Sequence, residues 1–247
     1  MLITASALYR DTGNFFRHQL INIALIAVFT SCVMIVVSKL LMPSINEIHI
    51  FGDNLSVGVT SNFLEIVRNM SPEQQKVLLR ISAAGTVSSL IGNVLLLGGI
   101  LSLVKLASSG ERASALRALI LSCPDLMHLL LLTFLMMLSI QIGFMILVVP
   151  GVLLSVTLAL SPMVITTKKV GIITAIYTSS QIGWNHINLI SPVIMIWILS
   201  KIILLFLASK MIIFPPDVVI LLLNIISNVI SSVLIIYLSR LYMLLHL

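Results

Sequence analysis

The apolar stretch from Leu126 to Thr167 constrains this chain more than any other feature. It is too long for one membrane-crossing helix of about 20 residues and too short for two helices with a wide loop between them. The segment must therefore fold back, and Pro150-Gly151 is the expected turning point because proline breaks a helix. Other apolar runs complete a set of spans expected at 20–41, 85–106, 126–148, 151–167, 188–208 and 218–238. Composition agrees: 59% of residues are apolar and 9% charged, against about a quarter charged in a soluble domain. The predicted fold is all-α, a polytopic helical membrane protein with about six transmembrane helices, with residues 1–247 as one integral-membrane domain.

A net charge of +6 and a pI near 9.6 invite a nucleic-acid reading. The basic residues, however, stand singly at span ends and do not cluster with aromatics, which is how membrane orientation is written. Arg10, Arg17, Lys105, Arg112, Arg117, Lys168, Lys169 and Arg240 fall on one side. Lys39, Arg68, Lys76, Arg80 and Lys210 fall on the other, spread over a longer loop. The richer side is expected to be cytoplasmic, with both termini there. The first run lacks a small-x-small cleavage site and is expected to remain as an uncleaved signal anchor.

Residues 42–84 form the one sizeable polar segment, expected as an outer, periplasmic loop. Ile45 to Ser61 shows no helical period. Phe63, Ile66, Val67 and Met70 recur at helical spacing, and Ser71-Pro72-Glu73-Gln74 has the serine, first-turn proline and glutamine of a helix start. Two short amphipathic helices are expected, inserted between the first two spans.

Similar segments precede the first, third and fifth spans: Ala5-Ser6-Ala7-Leu8, Ala113-Ser114-Ala115-Leu116 and Ile173-Thr174-Ala175-Ile176. Aligned on Ala7, Ala115 and Ala175, they suggest three repeats of an interfacial helix plus a helical hairpin. The alternative is a set of independent surface helices that use small residues for packing.

Lys201 stands out as an ionisable residue about 13 residues into the fifth span, hence roughly 20 Å deep. The same arithmetic places Gln141, Asn224 and Asn93 at comparable depth. Asn224, Ser227, Asn228 and Ser231 make a polar stripe on the sixth span, which should face protein. Lys201, Gln141, Asn224, Asn228 and Asn93 are thus the candidate buried polar site. The competing reading is interhelical hydrogen bonding with Lys201 snorkelling toward the interface. Gly85, Gly92 and Gly99 on the second span suggest a close helix seam. His18, His128, His186 and His246 lie at span ends and suit interfacial anchoring; His49 lies in the polar loop. Neither the histidines nor Cys32 and Cys123 have metal-ligand spacing, and G-x-S-x-G, P-loop and paired intramembrane carboxylate patterns do not occur. No catalytic residue, metal or cofactor is assigned.

Tyr9-Arg10-Asp11-Thr12-Gly13-Asn14-Phe15-Phe16-Arg17, Asn69-Met70-Ser71-Pro72-Glu73-Gln74-Gln75, Ala113-Ser114-Ala115-Leu116-Arg117-Ala118, Val148-Val149-Pro150-Gly151 and Arg240-Leu241-Tyr242-Met243-Leu244 together resemble the YciC family of bacterial inner-membrane proteins, nearly end to end. The resemblance implies a multi-pass protein of the cytoplasmic membrane and carries over no catalytic residues. Residues 148–186 also look like the membrane domain attached to some glycerophosphodiester phosphodiesterases, although Lys168-Lys169-Val170 stands where that pattern often has an acid. That likeness is architectural.

Three readings follow. The first is a non-enzymatic structural, assembly or envelope-maintenance protein, with membrane lipids and other inner-membrane proteins as partners and no nucleic acid. The second is a carrier or channel for a small solute or lipid that uses the belt around Lys201, its ligand unknown. The third is an intramembrane enzyme.

Overall fold

The computed structural model describes residues 5–43, 70–111, 113–210 and 215–245. In chain order the helices are α1 (Ala5–His18), α2 (Leu20–Leu41), α3 (Pro72–Ser108), α4 (Ala115–Ser122), α5 (Leu126–Ile146), α6 (Val148–Leu158), α7 (Ser161–Lys168), α8 (Ile172–Asn185), α9 (Ile187–Lys210) and α10 (Pro216–Leu245), with a 3-10 turn at Cys123–Asp125 between α4 and α5. Among the described residues, six helical stretches are long and apolar enough to cross a membrane: α2, α3, α4 continued into α5, α6 continued into α7, α9 and α10. Each of α1, α4 and α8 precedes or leads into two such stretches, α4 running on into the first of its pair, which is the order expected of the repeat. The chain forms two compact units, Val33 to Ile91 and the remainder.

In the smaller unit, the start of α3 follows the reading of Ser71-Pro72. The Ser71 backbone N–H donates to Gln74 Oε1 at 3.0 Å, and the Gln74 N–H donates to Ser71 Oγ at 3.3 Å. These reciprocal bonds satisfy two donors that a helix end leaves bare. The helix then continues unbroken to Ser108, 37 residues in all. Residues 72–84 therefore extend the second span and do not form a separate short helix, since nothing between Lys76 and Gly85 interrupts the backbone ladder. The helix expected around 63–70 lies almost wholly outside the described residues, as do His49 and His246.

In the larger unit each short helix buries one face. On α1 this face is Leu8, Thr12 and Phe15; on α4 it is Ala115, Ala118 and Ser122; on α8 it is Ala175, Ser179 and Gly183. On α1 it is Leu8 that is buried while Ala7 is exposed, whereas Ala115 and Ala175 are themselves buried. Each short helix packs on the second span of the repeat before it, and the first packs on the last. α4 seats on α3, where a Cβ on Gly98 would lie 3.1 Å from Ser122 Cβ and one on Gly99 would lie 3.1 Å from Leu119 Cδ2. α8 seats on α6, with Ser179 Oγ donating to the Thr157 carbonyl at 2.8 Å. α1 lies on α10, with the Tyr9 and Tyr237 rings 5.1 Å apart. Of the glycine seam expected on the second span, Gly99 makes close contact and Gly85 has nothing within 4 Å of a Cβ position.

The reversal between α5 and α6 falls at Leu147, three residues ahead of Pro150. Leu147 is extended (φ −165°, ψ 157°), and Gly143 and Gly151 face each other across the turn, a Cβ on Gly143 lying 3.0 Å from Gly151 Cα. Pro150 is accommodated in the first turn of α6, where the missing N–H would have had no intrahelical partner. The fourth span carries a second break at Ala159-Leu160. Pro162 explains it, since proline supplies no N–H for the Leu158 carbonyl.

Candidate functional site

The conspicuous lysine lies on α9, and what it meets is decided by α10. Lys201 Nζ donates to the Ser227 carbonyl at 2.9 Å and also to Ser227 Oγ. It lies 5.4 Å from the centre of the Trp197 ring, one turn back on its own helix. Trp197 Nε1 donates to Ser231 Oγ at 3.2 Å, and Ser231 Oγ donates to the Ser227 carbonyl at 3.0 Å. Two residues one turn apart on each helix thus make a closed network. The ammonium is held by a carbonyl, a hydroxyl and an aromatic face, an arrangement that tolerates a cation away from bulk water.

Asn228 follows Ser227 by one residue, about 100° around the helix, and looks elsewhere. Its side chain, 7% exposed, donates to Thr30 Oγ1 at 3.2 Å and Ser31 Oγ at 2.9 Å on α2. Thr30 and Ser31 in turn donate to carbonyls of their own helix at Ile26 and Ala27. This is a clamp between the first and last spans, separate from the lysine network. Asn224 is half-buried, while Gln141 and Asn93 are exposed. None of these three hydrogen-bonds to Lys201, whose hydrogen bonds go to Ser227.

Several polar contacts had no signal in the depth arithmetic. Asn22 on α2 grips the segment before α4, donating to the Ala113 carbonyl at 3.1 Å and accepting from the Ala115 N–H at 3.3 Å. Tyr237 donates to the Leu189 carbonyl at 3.0 Å, close to Pro192 inside α9. Two adjacent polar residues inside the first span, Thr30-Ser31, were the available clue to the Asn228 clamp.

Compared with known proteins, the chain matches an uncharacterised protein family, UPF0259, over residues 1–244. The chain belongs to that family. YciC is its Escherichia coli member. A UPF0259 membrane protein of Pectobacterium carotovorum is 47% identical over the whole of both chains. UPF0259 membrane proteins of Yersinia pestis and Yersinia pseudotuberculosis are each 42% identical over all of this chain and 97% of their own. No solved structure matches. As a UPF0259 member with six apolar helical stretches, the chain is a membrane protein of an uncharacterised family.

Proposed function

We propose that this UPF0259 protein is a non-enzymatic, multi-pass protein of the bacterial inner membrane with a structural, assembly or envelope-maintenance role. Membrane lipids and other inner-membrane proteins are its partners. One observation carries the reading: the ammonium of Lys201 and the amide of Asn228, the groups best suited to bind a solute inside the membrane, are each engaged by hydroxyls or carbonyls of a neighbouring helix. A carrier would hold such groups ready for a ligand; here they join spans. The distribution of basic residues supports an orientation with α1, α4, α8 and both termini at the cytoplasmic face and the Leu147 turn at the periplasmic face.

Affinity isolation from membranes with protein and lipid mass spectrometry tests the role. A structural or assembly protein retains specific membrane proteins at near-stoichiometric levels. Recovery of the chain with a bound small solute and no protein partner would contradict it. Reporters active on only one side of the membrane, fused near residues 60, 110, 170 and 212, test the topology, and a cytoplasmic signal at 60 or 212 would overturn it.

A further inference from the structure

The three short helices each bury one side but differ in what they leave exposed. On α1 the exposed residues include Arg10, Asp11, Asn14 and Arg17; on α4 they include Leu116, Ile120 and Leu121. α8 combines the two kinds. Its buried side is Ala175, Ser179 and Gly183. Ile173, Tyr177 and Trp184 recur at helical spacing on the opposite side and are 83%, 64% and 62% exposed. Along that side Gln181 Nε2 donates to the Tyr177 hydroxyl at 3.1 Å. A helix of 14 residues is about 21 Å long and does not cross a hydrocarbon layer of about 30 Å. Both its ends are polar, with Lys168 and Lys169 ahead of it and Asn185, His186 and Asn188 at its close, so both ends lie at one surface of the membrane. Tyr and Trp on the exposed side of such a helix belong at the level of the headgroups.

Charge selects the lipid. Lys168 is the last residue of α7, and Lys169, in the left-handed conformation (φ 49°), turns the chain toward α8. Both are exposed, and neither forms an ion pair among the described residues. Elsewhere acids stand beside basic residues: Arg117 pairs with Glu111, and Arg240 approaches Asp11. From Leu126 to Pro216, by contrast, the chain contains no Asp or Glu. Two uncompensated ammonium groups at a membrane surface attract anionic headgroups and discriminate against zwitterionic ones. The aromatic side chains hold α8 at headgroup level, and the lysines decide which headgroups gather there.

We propose that the exposed side of α8, with Lys168 and Lys169 at its start, is a docking surface for anionic phospholipid. The proposal deepens the lipid partnership proposed above, rests on it, and holds for either leaflet. Full-length protein is reconstituted in vesicles of phosphatidylcholine and phosphatidylglycerol in equal parts, with bromine on the acyl chains of one lipid or the other, and quenching of tryptophan fluorescence is measured. The chain has two tryptophans; the Trp184→Phe variant supplies the contribution of Trp197, and the difference reports Trp184. Brominated phosphatidylglycerol should quench Trp184 with a relative association constant about fivefold above that of brominated phosphatidylcholine, the factor given by roughly 1 kcal/mol for a basic residue at an anionic surface. Raised salt should lower that ratio. Lys168→Gln combined with Lys169→Gly should bring it close to unity. Lys169→Gly alone should lower the ratio without loss of thermal stability, because glycine suits the left-handed conformation, which separates the charge from any structural role of the residue. Equal quenching by the two lipids in the wild type, or a ratio unchanged in the double variant, would overturn the proposal and leave the lipid partnership standing. Absence of quenching by either lipid would mean that protein covers α8 and would overturn both.

Discussion

Removing the Asn228 amide should loosen the contact between the first and last spans by a calculable amount. Asn228→Ala deletes two donated hydrogen bonds, to Thr30 and Ser31. Interhelical hydrogen bonds inside a membrane bundle are worth about 0.6 kcal/mol each, so the bonds account for about 1.2 kcal/mol. Thr30 and Ser31 keep their bonds to the Ile26 and Ala27 carbonyls, so no hydroxyl proton is orphaned and no larger desolvation penalty is added. The space left by the amide raises the total to about 2 kcal/mol. Reversible unfolding in mixed micelles, titrated with a denaturing detergent, measures this. In a double-mutant cycle with Thr30→Val plus Ser31→Ala, the coupling should be about 1 kcal/mol. An Asn228→Ala variant as stable as wild type, or a cycle additive within about 0.3 kcal/mol, would refute the clamp.

Lys201→Met should couple to Ser227→Ala by about 0.6 kcal/mol in the same titration and should be additive with Asn224→Leu, since Lys201 bonds to Ser227 and not to Asn224; coupling to Asn224 instead would contradict the network. Gly183→Ala should cost about 1–3 kcal/mol, because its Cβ would lie 2.9 Å from Thr157 Cα and 3.0 Å from the Thr157 carbonyl oxygen, and backbone must move to admit it. Gly13→Ala is the matched control: nothing lies within 4 Å of its Cβ position, so inside α1 it should be neutral or raise stability by about 0.5–1 kcal/mol.

The legibility of this fold follows from which coordinate the sequence encodes. Apolar runs mark where a helix lies along the membrane normal, and Ser71-Pro72 marks where one begins; both are local properties and both appear in the structure. Proline was read less well because its effect depends on position. Pro150 sits within the first turn of α6, whereas Pro162 accompanies a break that the apolar run concealed. Depth arithmetic put Lys201 and Asn224 level with each other, but rise per residue says nothing of rotation about the helix axis. Ser227 and Asn228, one residue apart, bond to α9 and α2 respectively. That azimuth is set by packing of whole helices, through contacts such as Gly99 against Ile26 and Leu119, which no local pattern records.

The account rests on the intramembrane polar groups being locked to one another rather than lining a water-filled path, and thiol accessibility tests this most directly. Cys32 and Cys123, both exposed, are replaced by serine, and Lys201→Cys and Ser227→Cys are introduced singly, with Ser109→Cys outside the spans as the reactive control. A small, charged, water-soluble thiosulfonate is then applied to right-side-out and inverted membrane vesicles. The account predicts that positions 201 and 227 resist modification from both sides while position 109 reacts from one. Rapid modification at 201 or 227 from either side would show a hydrated path to the lysine and contradict it.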